Sequence, residues 1–543
     1  MNDCMYDLYA HTKKPQHLAA AKAFDEEELF DRILSGEENI LNNKHANTTL
    51  PKILGALNRY KTTGEERYFA VAKTFFQLVA EKHAYVTGGI GEWEHFGRDN
   101  VLDADRTNCN AETCVAHNMC KLAQNLFCLT GEKYYLDYYE RTFVNSILAS
   151  VNPESGMTTY FQPMANGYFK VFGSPFDKFW CCTGSGMENF TKTERGVWYG
   201  QGNTLYLAML RSSEVQYNGF TVAITADYPQ KKSFHLSCKG TGELHLVIRV
   251  PNGAEIDGAK DGVLSLDIAS DTETDIAVIP KMEYASLPDN PDVYAFSYGG
   301  VVLAADLGQE NMETAQTGVL VTIPKHALPH SDTIVWKKGK EDFFANFAQV
   351  FQRKHMTFLL PTKTGTMRFT PYYRQSNNRY GIYWHISDRM PEEKAERQKV
   401  DTVQPGYGQY ENDELHSMRS VRSVGCTSDG TCRFAQKKGW FAYDMRILPG
   451  VTNTLAVCFR REDFAKTIEI RVGNTVISAD VLLFTGTEER PWKYFTLSEE
   501  LLERESFQKE VEGNPVPVVT VRFAGLDGKQ SARISDFIYI LAD

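Results

Sequence analysis

The apolar residues of this chain change period near residue 200, and no single packed layer of secondary structure accommodates both patterns. Before that point they recur at helical spacing: Leu50, Ile53, Leu54 and Leu57 fall at i, i+3, i+4 and i+7, one face of a helix. Thr48 or Thr49 is expected to cap this helix, with Pro51 in its first turn, where a missing backbone donor is tolerated. Beyond residue 200 the period is two. In ELHLVIRVP, Leu244, Leu246, Ile248 and Val250 alternate with His245, Val247 and Arg249, as in a strand with one buried face. At 543 residues the chain also exceeds what one core sustains. A mixed multidomain protein follows, helical first and β-rich afterwards.

Three stretches of the helical region share one layout, a helix, a short polar turn and a second helix: DCMYDLYAHTKKPQHLAAAKAF, ILGALNRYKTTGEERYFAVAKTFF and MCKLAQNLFCLTGEKYYLDYYERTF, with turns near Thr12, Thr63 and Thr130. Their spacing is too uneven for a solenoid but fits successive αα-hairpins, whose natural closed form is a toroid. The expected organisation is a helical domain over residues 1–200, a β-sandwich region over 201–394 and a C-terminal, jelly-roll-like β-sandwich over 395–543. The charged run from Ile386 to Val400, ISDRMPEEKAERQKV, reads as a linker or short helix. In the last domain Trp440, Phe441 and Tyr443 can form either a sugar platform or, as is commoner on alternating strands, the sandwich core.

Composition removes several function classes. A hydrophobic content of 42% with 23% charged residues excludes global disorder. The 58 Lys and Arg against 69 Asp and Glu leave a net charge of −11, the wrong sign for gripping a phosphate backbone, so nucleic acid is not an expected partner. No run approaches the roughly 20 apolar residues of a bilayer span, and no membrane partner is expected. The start, MNDCMYDLYAHTKK, has neither a basic leader nor an apolar signal core, which gives a cytoplasmic expectation. Eleven cysteines are too sparse for a disulfide scaffold and too odd in number to pair fully, so thiols or thiolates are expected.

The chemistry concentrates in GGIGEWEHFGRDNVLDADRTNCNAETCVAHNMCKL and, some sixty residues later, FWCCTGSGMENF. Glu112, Cys114, Cys181 and Cys182 offer one hard and three soft anionic ligands, a set suited to Zn2+. Glu112 and Cys114, two apart, point in different directions on a regular helix and are expected at an extended or N-terminal turn before the helix of Val115, Met119, Leu122 and Leu126. Spacing alone leaves the alternative of core thiols open. Cys109, Cys120, Cys128 and Cys238 read as core or surface thiols, and Cys426 and Cys432 as a reduced loop or a small hairpin disulfide.

The order TGGIGEWEHF, AETC, YYERTFVNSILAS, GMTTYFQP and FWCCTGSGMEN resembles the zinc-cysteine glycoside hydrolases of family 127, the β-L-arabinofuranosidases, and the neighbouring family 146. The likeness extends over about residues 1–385. It implies a retaining glycosidase acting on β-L-arabinofuranosides or related plant-polysaccharide furanosides, with an oligosaccharide or polysaccharide as its partner. By matching motif to motif, Cys181 would be the nucleophile and Glu94 the acid and base, while Glu112, Cys114, Cys181 and Cys182 would hold zinc. His45 and Tyr160 resemble positions that meet substrate; Trp180 would pack beneath the cysteine pair or in the core, and Glu140 would give structural support.

The likeness also implies a fold class, a partial (α/α)6-type helical barrel followed by β-sandwich domains. Members of the family close six hairpins, and the three found here lead to the expectation that the N-terminal part of the barrel is lacking. The stretch DNVLDADRTNCN has no proline where the family has one, and His117 replaces an aromatic residue, differences that bear on substrate more than on mechanism. The rival reading is a non-catalytic carbohydrate-binding or structural protein that keeps a zinc-thiolate site; Glu94 separates the two.

Overall fold

A computed structural model describes residues 1–191, 193–316, 321–329, 331–390, 398–426, 431–484 and 490–542. The chain divides into two compact units, one of Met1–Ala315 with Ile323–Met390 and one of Gln316–Thr322 with Pro391–Asp543.

The first unit begins with helices α1 (Asn2–Thr12), α2 (Pro15–Ala23), α3 (Glu27–Ser35), α4 (Ala46–Thr63), α5 (Glu66–Lys82), α6 (Thr113–Thr130), α7 (Lys133–Thr142) and α8 (Cys181–Thr191). Three of the turns between them share one chemistry. Thr12, Thr63 and Thr130 each donate a hydroxyl hydrogen bond to the carbonyl four residues back, at 2.8, 2.8 and 2.9 Å, and a left-handed residue follows, Lys13, Gly64 or Gly131. The helices α1/α2, α4/α5 and α6/α7 are thereby joined as tight hairpins. Their apolar faces meet in one core: Leu50, Ile53, Leu54 and Leu57 of α4 pack with Val71, Phe75 and Phe76 of α5 and with Val115, Met119 and Leu122 of α6. Among the described residues no helix is long and apolar enough to cross a membrane.

The start of α4 differs from the sequence expectation. Its N-cap is His45, three or four residues earlier than Thr48 or Thr49, and Pro51 lies inside the helix. Tertiary contact decides this: the Ala46 amide donates to the Glu94 carbonyl at 2.7 Å and His45 pairs with His95, which fixes the entry of the chain ahead of the first favourable capping residue.

Strands begin at Trp198. A four-stranded sheet that includes Thr204–Leu207 and Leu244–Arg249 faces another built from Ser213–Tyr217, Phe220–Ala226, Ser233–Lys239 and Thr272–Ala277. Leu205, Leu246 and Ile248 from one meet Val222, Ile224 and Leu236 from the other, a sandwich core. Arg249, wholly buried, ties this sandwich to α7 through Asp137 at 2.7 Å and Glu140 at 2.5 Å. Glu140 also accepts from the Asn252 amide at 2.9 Å and acts as a structural clasp. A nine-stranded sheet follows, with Phe296, Leu303, Phe358 and Phe369 in its core.

Among its described residues the second unit is built on a ten-stranded, antiparallel sheet. Phe441 and Tyr443 are wholly buried in its core, so the sugar-platform alternative is excluded for these two side chains, while Trp440 stacks under Arg522 at 4.6 Å. Cys426 and Cys432 face each other across paired strands and are joined as a disulfide, against the reduced-loop alternative. Of the charged run expected as a linker, residues 391–397 lie outside the described residues; Tyr383–Ser387 and Gln398–Val403 are strands.

Candidate active site

Two helix N-termini carry the cluster. Glu112 is the N-cap residue of α6 and Cys114 lies in its first turn; Cys181 and Cys182 open α8. The helix dipole at such ends favours negative charge, which suits thiolates. The two helices bring one ligand atom from each of Glu112, Cys114, Cys181 and Cys182 within 4.8 Å of one another. The Cys114 and Cys182 sulfurs are 3.3 Å apart, Cys181 and Cys182 3.9 Å, and Oε1 of Glu112 lies 3.6 Å from Cys181 and 3.7 Å from Cys182. Cys114, Cys182 and Glu112 are buried, and Cys181 is exposed.

Without a cation this group is overcrowded with acids. Hydrogen bonds with Cys114 and Cys182 hold the Cys181 thiol well below its ordinary range. Its neighbour Cys181 holds Cys114 up, burial holds Cys182 up, and burial followed by the nearby Cys181 pushes the Glu112 carboxyl up. Only one of the four can then carry charge easily. Glu112 Oε2 is buried without a hydrogen-bond partner. An orphaned carboxylate oxygen beside three sulfurs is a donor set that a soft-to-borderline metal ion satisfies, so the residues present can hold one.

A second group adjoins the first. Tyr160 donates its hydroxyl proton to Oε1 of Glu94, and the same phenolic oxygen is 3.5 Å from the Cys181 sulfur. His45 Nε2 lies 3.6 Å from the other Glu94 oxygen. Burial, then the Glu112 and Glu94 carboxyls, push the Tyr160 hydroxyl up and keep it a donor. Trp180 meets Tyr160 edge-on at 5.8 Å. Trp93 and Glu94 both have left-handed backbones, φ 45° and 66°, a local strain that aims the Glu94 side chain inward from its loop. Every site residue named from the sequence, His45, Glu94, Glu112, Cys114, Tyr160, Cys181 and Cys182, thus falls in one connected group.

Two contributors escaped sequence reading. Asn110, wholly buried, accepts from the amides of Thr107 and Met164 and donates to the carbonyls of Gly91 and Asp105, bracing the loop between Glu94 and Glu112. Ser185 donates to the Cys114 sulfur at 3.1 Å. Its place four residues after Cys181, on the same helical face, was the available signal. The remaining thiols are not part of the cluster: Cys109, Cys120, Cys238 and Cys458 are buried, and Cys4 and Cys128 are exposed.

Residues 1–195 match the family profile described as "Beta-L-arabinofuranosidase, GH127 catalytic domain". This region is similar to the GH127 catalytic domain. Residues 283–386 and 394–522 match two families of unknown function. Among solved structures, a GH127 β-arabinofuranosidase is similar at 19% identity and a TM-score of 0.53, covering 71% of this chain and 68% of its own. A GH127 β-L-arabinofuranosidase from Geobacillus stearothermophilus T6 is similar at 14% identity and a TM-score of 0.51, covering 71% and 72%. A further glycoside hydrolase gives 13% identity and a TM-score of 0.53, covering 70% and 74%. At these identities the structures speak for the fold, a helical region like the GH127 barrel followed by β-domains. No curated protein sequence matches the chain.

Proposed function

We propose that the GH127-type domain is a retaining glycosidase for β-L-arabinofuranosides or related plant-polysaccharide furanosides, with Cys181 as nucleophile and Glu94 as acid and base. One observation carries the reading: a single hydroxyl oxygen, that of Tyr160, separates the Cys181 sulfur from the Glu94 carboxyl. Such closeness is on the scale of the about 5 to 5.5 Å between reacting groups in retaining enzymes and leaves no room for the water that an inverting enzyme holds between them.

In the first step the Cys181 sulfur bonds to the anomeric carbon while the glycosidic C–O bond breaks and Glu94 gives its proton to the leaving oxygen. In the second, Glu94 takes a proton from water, the water oxygen bonds to the anomeric carbon and the C–S bond breaks. Tyr160 orients Glu94 in both, and His45, on its other oxygen, is placed to meet a sugar hydroxyl.

Glu112, Cys114, Cys181 and Cys182 would hold zinc. Their four ligand atoms lie within 4.8 Å of one another, close enough to share one ion, and three thiolates with a carboxylate are a donor set that zinc accepts. Bound there, zinc keeps its cysteine ligands deprotonated at neutral pH. Metal analysis of protein purified without chelator should give one zinc per chain, and an aryl β-L-arabinofuranoside should release its phenol. No release across a panel of aryl pentofuranosides would remove the enzymatic claim, and a zinc-free protein the metal claim.

A further inference from the structure

Three sulfurs converge in the cluster, but their surroundings are not equivalent. The Cys114 sulfur has a hydroxyl donor of its own, Ser185 Oγ at 3.1 Å, a shorter contact than any other between a hydroxyl and a sulfur of the site. The hydroxyl facing Cys181 belongs to Tyr160, whose one proton is engaged by Glu94. Near Cys182, at 3.9 Å, lies the Tyr160 carbonyl, which can only accept.

We propose that Ser185 is a positioning residue that holds Cys114 as a spectator ligand, withdrawing electron density from its sulfur and leaving reactivity on Cys181. This rests on the metal-thiolate reading above and deepens it. Hydrogen bonds to ionised acceptors are stronger than neutral ones, and such outer contacts tune a ligand's basicity and orientation. A serine in a helix usually turns its hydroxyl to its own helix's carbonyl four residues back, yet here it reaches across the α6–α8 seam to a side chain. The placing of α8 against the segment that carries Thr158 is built in. Gly186 follows Ser185, and a Cβ there would fall 2.1 Å from Thr158 Cγ2, so α8 lies closer to Thr158 than any other residue type allows. Thr158 in turn donates to the Cys182 carbonyl at 3.3 Å, which fixes the helix start and with it the Ser185 hydroxyl.

The test is a Co2+ titration of the metal-stripped full chain, read by the sulfur-to-cobalt charge-transfer absorption. Loss of the hydrogen bond raises the energy of the sulfur lone pair, so Ser185→Ala should move the band to longer wavelength and weaken Co2+ binding by about tenfold. Ser185→Thr, which keeps the hydroxyl, should restore both, and Ser185→Gly, which lacks it, should behave like the alanine variant. A parent band that Ser185→Ala and Ser185→Gly leave in place, with unchanged affinity, overturns the inference alone. Absence of any thiolate band in the parent protein overturns it together with the metal reading.

Discussion

Both units bury ionisable side chains against opposite charges, as the first does with Arg249 and Glu140, but one cluster of the first unit departs from that rule. In the second unit the buried acids have cations: Glu411 meets Arg433 at 2.5 Å, Asp444 meets Arg419 and Lys509 at 2.6 and 2.8 Å, and Asp463 meets Lys466 and Arg533, each at 2.7 Å or less. In the first, Glu112, Cys114, Cys181 and Cys182 make their described contacts with one another and with neutral groups, Ser185 and Tyr160. A buried charge must be paired or neutralised. The paired set is complete and explains itself as structure. The acid-only set is left either protonated and inert or completed by a cation, and only the second outcome gives a use for so many acids at two helix ends.

Removing members of each set should therefore produce different losses. The largest is expected for Cys181→Ala, which deletes the proposed nucleophile: turnover of an aryl β-L-arabinofuranoside should fall by about 10^4-fold or more, with metal binding weakened as well. Glu94→Gln should cost about 10^3-fold while leaving the metal content of the protein unchanged, because Glu94 is not among the four ligands. Retained activity in this variant would remove Glu94 from the acid and base role, while a parent protein without turnover would favour the rival, non-catalytic reading of the cluster. The matching change in the second unit, Glu411→Gln, strands Arg433 with weaker partners. It should lower the urea stability of that unit by about 3 kcal/mol and leave turnover untouched. A turnover loss there would show that the comparison is drawn at the wrong boundary.

How far the sequence announced this contrast depends on the range of the forces involved. The faces of α4 and α6 were readable from Leu50 to Leu57 and from Val115 to Leu126, because helix periodicity is local. The members of the candidate site were readable because the order of five motifs carries more information than any one spacing. What stayed hidden was set by contacts between distant segments. The start of α4 at Ala46 depends on the Glu94 carbonyl, Asn110 acts through carbonyls and amides of a loop, and Ser185 acts across two helices. Phe441 and Tyr443 show the same limit, since alternation alone does not say which face of a strand is covered.

The smallest expected effect tests whether the pairs of the second unit are as complete as they look. His416 is buried between Asp401 at 3.1 Å and Asp413 at 2.8 Å. Burial acts to lower its pKa, but the Asp401 carboxylate, then Asp413, outweighs it, and the imidazole is pushed up to about 10. A pKa raised in the folded state contributes stability in full below the unfolded value of about 6.5, and that contribution is lost as pH rises toward 10. Between pH 6.5 and 8 the unfolded chain sheds the proton while the folded one keeps it, so the unit should lose about 2 kcal/mol. Urea melts across this range should show the decline, and His416→Gln should flatten it while lowering stability at pH 6.5, since the two carboxylates then lack their cation. If the histidine variant keeps the parent slope, His416 is neutral in the folded protein, and the second unit too contains acids awaiting a partner.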